Sequence, residues 1–107
     1  MKLKVVLDPQ ADRDIEDVFN YLADRNIDAA LRFLKAADDT FDALTEMPGM
    51  GSLRQLKNPK LVGLRMWAIK GFPNYLAFYL TTEESIQVLR VLHGAQNIEK
   101  IFSNTGP

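Results

Sequence analysis

A single histidine and two arginines are the residues of this chain with the most chemical reach. His93 closes the apolar run SIQVLRVLH, with Arg90 three positions before it and Gly94 directly after, and Arg65 lies in LRMWAI. An imidazole near guanidinium groups suits RNA cleavage. A group titrating near neutrality takes the proton of an attacking hydroxyl, while arginines hold the phosphate as charge builds on it. Arg65, Arg90 and His93 are therefore the catalytic set under an alternative, ribonuclease reading. Two features weigh against it. Side chains alternate along a strand, which puts Arg90 and His93 on opposite faces unless a bulge intervenes. The formal net charge is −1 and the pI about 5.7, whereas docking on RNA calls for strong positive charge. No catalytic residue is assigned on these grounds.

The plainer expectation for His93 is a strand-ending residue bonded to a carbonyl, with Gly94 supplying the turn. Arg65 and Arg90, set among apolar strand residues, are expected to pair with helix carboxylates. Trp67 reads first as core, yet Trp also anchors interfaces, and Tyr75 and Tyr79 suit a wet edge or a contact equally. Arg65, Trp67, Tyr75, Tyr79, Arg90 and His93 form the candidate partner-binding set. No cofactor or metal is expected: there is no Cys and one His, too few for a zinc site. Gly49 and Gly51 follow a helix and lack the Gly-Lys-Ser/Thr of a phosphate-binding loop.

These residues need elements to position them. LKVVLD reads as a short first strand. Asp8 and Pro9 open a helix whose apolar stripe is Ala11, Ile15, Val18, Phe19 and Leu22, and Asn26 caps a second with stripes through Leu34, Phe41 and Leu44. The short connection makes the two an antiparallel hairpin. MPGMG stops the second helix, and three strand-like runs follow: LRMWAI, YLAFYLTT and SIQVLRVLH. A brief helix around NIEKIF and a frayed SNTGP tail complete the reading. The order β-α-α-β-β-β predicts one α+β domain over 1–107, a helical hairpin packed on an antiparallel β-sheet with a short C-terminal helix. The N-terminal apolar run is too short for a signal peptide or membrane span, and the lack of Cys fits a reducing, cytoplasmic setting.

Charge is unevenly spread. Residues 8–46 hold eleven acids against four bases, and residues 47–107 hold seven bases against three acids. Such polarity fits a charged partner for one half, or simply acid-rich helices facing water. The strands are more telling. YLAFYL and IQVLRVLH are apolar on both faces, and the hairpin covers only one. A second molecule is expected to shield the other, with cover by the terminal helix as the rival.

Four segments in order, ADRDIEDVFNYLADRNIDAALRFL, MPGMGS, GLRMWAIKGFPNYLAFY and IQVLRVLHGAQNI, resemble the ParE branch of the RelE/ParE toxin superfamily from about residue 3 to 101. The resemblance implies the toxin of a type II toxin–antitoxin system, neutralised by a cognate antitoxin that lays a part-helical, part-extended segment over it. It implies DNA gyrase as target for the ParE branch, with DNA reached only through the antitoxin. RelE-like relatives cut mRNA on the ribosome, the alternative named above. The chain departs from the pattern at Leu80, where members commonly carry Arg, and at Gln96-Asn97, where they commonly carry Arg-Asp. Both changes remove positive charge, which leaves room for a weakened, retargeted or non-toxic relative.

Overall fold

The computed structural model describes residues 2–104, so Met1 and the last three residues of the SNTGP tail lie outside the described residues. The elements are β1 (Lys4–Leu7), α1 (Pro9–Ala23), α2 (Ile27–Glu46), β2 (Ser52–Leu53), β3 (Arg65–Ile69), β4 (Phe72–Thr81), β5 (Ser85–His93) and α3 (Ile98–Phe102). The sheet runs β1-β5-β4-β3-β2, antiparallel except where β1 lies parallel to β5. The α+β class and the element order hold. The two-residue β2 and the parallel setting of β1 add to them. Among the described residues no helix is long and apolar enough to cross a membrane.

Local chemistry explains most boundaries. Pro9 starts α1, but Asp8 makes no side-chain cap; its carboxylate instead accepts from Gln87 Nε2 at 3.0 Å, tying the helix entry to β5. Asn26 does cap α2, accepting from the Ala29 amide at 3.2 Å, and only three residues separate the helices. Pro48 ends α2 because it has no amide to continue the ladder. The β3–β4 turn is tighter than the gap between LRMWAI and YLAFYLTT suggests. Ile69 pairs with Phe72, leaving Lys70 and Gly71 as the loop, and Gly71 at φ +81° takes the left-handed position that other residues avoid.

One sheet face receives the hairpin: Phe33, Phe41 and Leu44 of α2 pack on Ile69, Tyr79 and Val88. The other face holds Phe78, Leu89 and Leu92, and the chain covers it itself. Leu61 and Leu64 of the long loop, with Ile98 and Phe102 of α3, close over these side chains until each is at most 4% exposed. The expectation that a second molecule must shield this face is overturned, and the rival cover by the terminal helix is what occurs. The cause lies in residues 54–64, whose Leu56, Leu61 and Leu64 supply apolar cover that reading the segment as a polar loop concealed. Asn97 caps α3 by accepting from the Lys100 amide at 3.1 Å. Glu99 accepts from the Lys57 amide at 3.0 Å and holds the cover in place.

Candidate functional site

The bulge that sequence alternation left open does exist. Phe78 faces Arg90 while Tyr79 faces Val88, so Leu89 is the extra residue of β5 and turns to the α3 side. Because it precedes Arg90, it does not bring Arg90 and His93 to one face. The Arg90 guanidinium reaches α1, where Nε and Nη2 donate to the Asp14 carboxylate at 2.8 and 3.0 Å. Asp14, only 7% exposed, accepts a third bond from the Val91 amide at 2.9 Å. The expected hairpin carboxylate for Arg90 is thus Asp14. A sequence signal for it exists: Asp14 sits three residues after Ala11 and four before Val18, an acid on the buried stripe.

Arg65 departs from the same expectation. Among the described residues it finds no acid; Nη1 donates to the Gly51 carbonyl at 2.6 Å and, at 3.4 Å, to that of Gly49. Beside it Tyr79, fully buried, donates its hydroxyl to the Pro48 carbonyl at 2.7 Å and accepts from the Gly51 amide at 3.0 Å. Burial raises the Tyr79 hydroxyl above its ordinary value of 10.0, with the Gly51 amide and the Arg65 charge pulling the other way. Arg65 and Tyr79 together clasp the turn that follows α2. Gly51 must be glycine here: a Cβ would press on the Tyr79 hydroxyl and stand 2.9 Å from the Met66 carbonyl oxygen. Tyr79, offered by the sequence as a contact, is therefore internal.

His93 sits half-buried at the end of β5. Its Nδ1 does not meet a carbonyl but accepts from the Ala95 amide at 3.0 Å, which places the proton on Nε2. The His93 amide donates to Gln96 Oε1 at 2.8 Å, and Gly94 donates to the Asn74 carbonyl at 2.8 Å. The ring stands edge-on to Tyr75, with centroids 5.3 Å apart, and Tyr75 stands similarly on Phe33 at 5.5 Å. His93 and Tyr75 are thus brought together, as part of an aromatic row under the hairpin.

The structure keeps the remaining candidates apart. Arg65 is opposite Tyr79 and His93 is opposite Tyr75. Those rows are four residues apart along β4, roughly 13 Å at about 3.3 Å per residue. Within the structure each of the three bonds groups of the chain, and none of them bonds another. Trp67 differs from its first reading as core. It is 37% exposed and borders a cleft of about 530 Å³ between β3 and α2, lined also by Asp39, Ala43 and Lys70. Asp39 and Lys70 were not singled out from the sequence, because only the fold brings the middle of α2 beside the β3–β4 turn. Leu80 packs with the apolar side chains under α3, and Gln96 is spent on the His93 amide.

Residues 5–98 match the family described as ParE toxin of type II toxin-antitoxin system, parDE. A solved chain described as "Chromosomal ParDE TA system from P. aeruginosa" superposes with a TM-score of 0.67. It shares 17% sequence identity, over 86% of this chain and 96% of that one. At that identity the likeness concerns the fold. No curated protein matches the chain.

Proposed function

Because this chain belongs to the ParE toxin family of type II toxin–antitoxin systems, we propose that it acts by binding a protein, that DNA gyrase is the protein it inhibits, and that a ParD-type antitoxin neutralises it in the cytoplasm. The observation that supports a binding mechanism is the separation of Arg65, Arg90 and His93, each with at least one polar side-chain atom engaged by the chain's own groups. The ParDE origin of the structurally similar chain supports an antitoxin partner. DNA is met only through that antitoxin. Under this reading Tyr75 and His93 offer a contact through the exposed rim of their ring pair, and Trp67 offers a larger one.

Inducible expression tests it. Growth should stop with a DNA-damage response, and the purified chain should block gyrase supercoiling. Co-expression of the adjacent reading frame should restore growth. Arrest with codon-positioned mRNA cleavage, lost in His93→Gln, would establish the ribosome-dependent endonuclease instead. Leu80 and Gln96 favour a second reading: both are built into the chain's own packing where family members commonly present arginine. A relative that only binds antitoxin would be harmless at high expression while still forming a tight complex.

A further inference from the structure

We propose that the outer stripe of α2, formed by Ile27, Leu31 and Leu34, docks on the same stripe of a second copy of this chain, with the two helices antiparallel. Positions four and seven apart share one face of a helix. Ile27 and Leu31 are each 53% exposed and Leu34 is 37% exposed, although aliphatic side chains at this spacing ordinarily face a core. None of the three joins the packing on either face of the sheet. The run covers about 10 Å of helix, and Asp38, the next position on that face, ends it. A stripe of this kind is what a pair of helices buries between them.

Charge identifies the occupant. A two-fold contact brings one residue to a second and the second back to the first, so a helix that meets itself must complement itself. Asp28 and Lys35 are seven residues apart and lie along the same flank of the stripe. Antiparallel pairing centred on Leu31 sets Asp28 against Leu34 of the other copy and Lys35 against Ile27. Asp28 of each chain then stands one position from Lys35 of the other, which gives two ion pairs. A parallel pair sets that flank against Ala30 and Ala37, both buried within their own chain, and forms neither. Among the described residues Asp28 has no ion pair, and Lys35 pairs with Asp39 at 3.1 Å in an exposed contact that it can share. The Trp67 cleft uses Asp39, Thr40 and Ala43, farther along α2 and toward β3. The paired form therefore leaves both clefts open.

Sedimentation equilibrium on the purified full chain should show a monomer–dimer equilibrium. Leu31→Glu, at an exposed position outside both cores, should keep the fold and weaken the dimer by more than about tenfold, because the residue meets its own copy at the centre of the seam. Asp28→Lys and Lys35→Asp should each weaken it about fivefold. Mixing those two variants should restore a heterodimer as tight as the unaltered dimer, since both contacts then pair lysine with aspartate. A chain that stays monomeric up to about 1 mM overturns the proposal. So does a dimer that Leu31→Glu leaves intact, or a mixture that associates no more tightly than either variant alone. Loss of binding to the product of the adjacent reading frame in Leu31→Glu, with the chain alone monomeric, assigns the stripe to that product and also overturns the proposal. Gyrase inhibition and its neutralisation are read in separate assays, so failure here leaves the proposed function standing.

Discussion

Replacing Asp14 by alanine removes the acceptor of three hydrogen bonds at once, two from Arg90 and one from the Val91 amide. The Arg90 side chain is 19% exposed and that of Asp14 8%, so water reaches little of either. A buried pair broken on one side costs about 3–5 kcal/mol, because the remaining charge keeps its desolvation penalty and loses its partner. Partial access at Arg90 favours the lower end, about 3 kcal/mol. Against a total of about 5–15 kcal/mol for a domain of this kind, that is a large fraction. Urea unfolding followed by far-UV circular dichroism should show the midpoint falling by roughly 2–3 M, at a slope of about 1.2 kcal/mol per M. The double variant Asp14→Leu, Arg90→Met should recover part of the loss, since neither charge then remains buried while the Val91 amide still lacks its acceptor. A fall of under about 0.5 M for Asp14→Ala would refute the assignment of Arg90 as a tie between α1 and β5. So would an Arg90→Met variant that keeps full stability yet loses toxicity, which would return Arg90 to the working surface.

Three further outcomes follow from the clasp and the cover. Gly51→Ala should lower stability by about 1–3 kcal/mol by forcing Tyr79 and the β3 carbonyl apart. Gly49→Ala, where nothing stands within 4 Å of the added carbon, should stay within about 0.5 kcal/mol in the same thermal melts. The Tyr79 hydroxyl is held protonated in the fold, above its unfolded value of 10.0. Its contribution is therefore fully present below about pH 10 and is lost as pH rises through the folded value. Melting temperature should fall on that alkaline limb, and less steeply in Tyr79→Phe, which starts lower by about 1–3 kcal/mol for the Gly51 amide and Pro48 carbonyl left unpaired. Phe102→Ala should cost about 3–5 kcal/mol and increase binding of a hydrophobic dye, because Phe78 loses the ring tilted against it with centroids 5.3 Å apart.

How much of this was legible in the sequence depended on whether the cause was local. Pro9, Asn26 and Pro48 act on the backbone within a few residues, and the helices they bound were readable from them. The strand apolarity on both faces was also visible. Which groups answer it was not, because Leu61, Leu64 and Phe102 approach Phe78 from distant parts of the chain. Arg65 and Tyr79 misled for a related reason. An arginine normally implies an acid and a tyrosine suggests an edge, yet here both satisfy backbone carbonyls of the turn after α2, whose path no pattern in residues 47–53 discloses. Alternation failed at Leu89 and again where the β3–β4 ladder slips between Ala68 and Ile69, since a bulge adds residues without changing composition.

The way polar valences are spent bears on mechanism. A nuclease centre keeps guanidinium and imidazole atoms available for phosphate and for the attacking hydroxyl, and tolerates the instability that results. In this chain Arg90 is held by a buried carboxylate, Arg65 by two carbonyls and His93 Nδ1 by an amide. Releasing Arg90 alone would leave Asp14 buried and unpaired, a cost of about 3–5 kcal/mol that substrate binding would have to supply before any chemistry began. Bringing the His93 row beside the Arg65 row would further require sliding β5 along β4 by four residues, an even shift that keeps the face of each side chain but breaks every ladder bond between the two strands and displaces Phe78 and Leu92 from under α3. A protein-binding toxin needs neither rearrangement. It needs a rigid frame with exposed surface, and the half-open Trp67 beside the cleft between α2 and β3 is such surface.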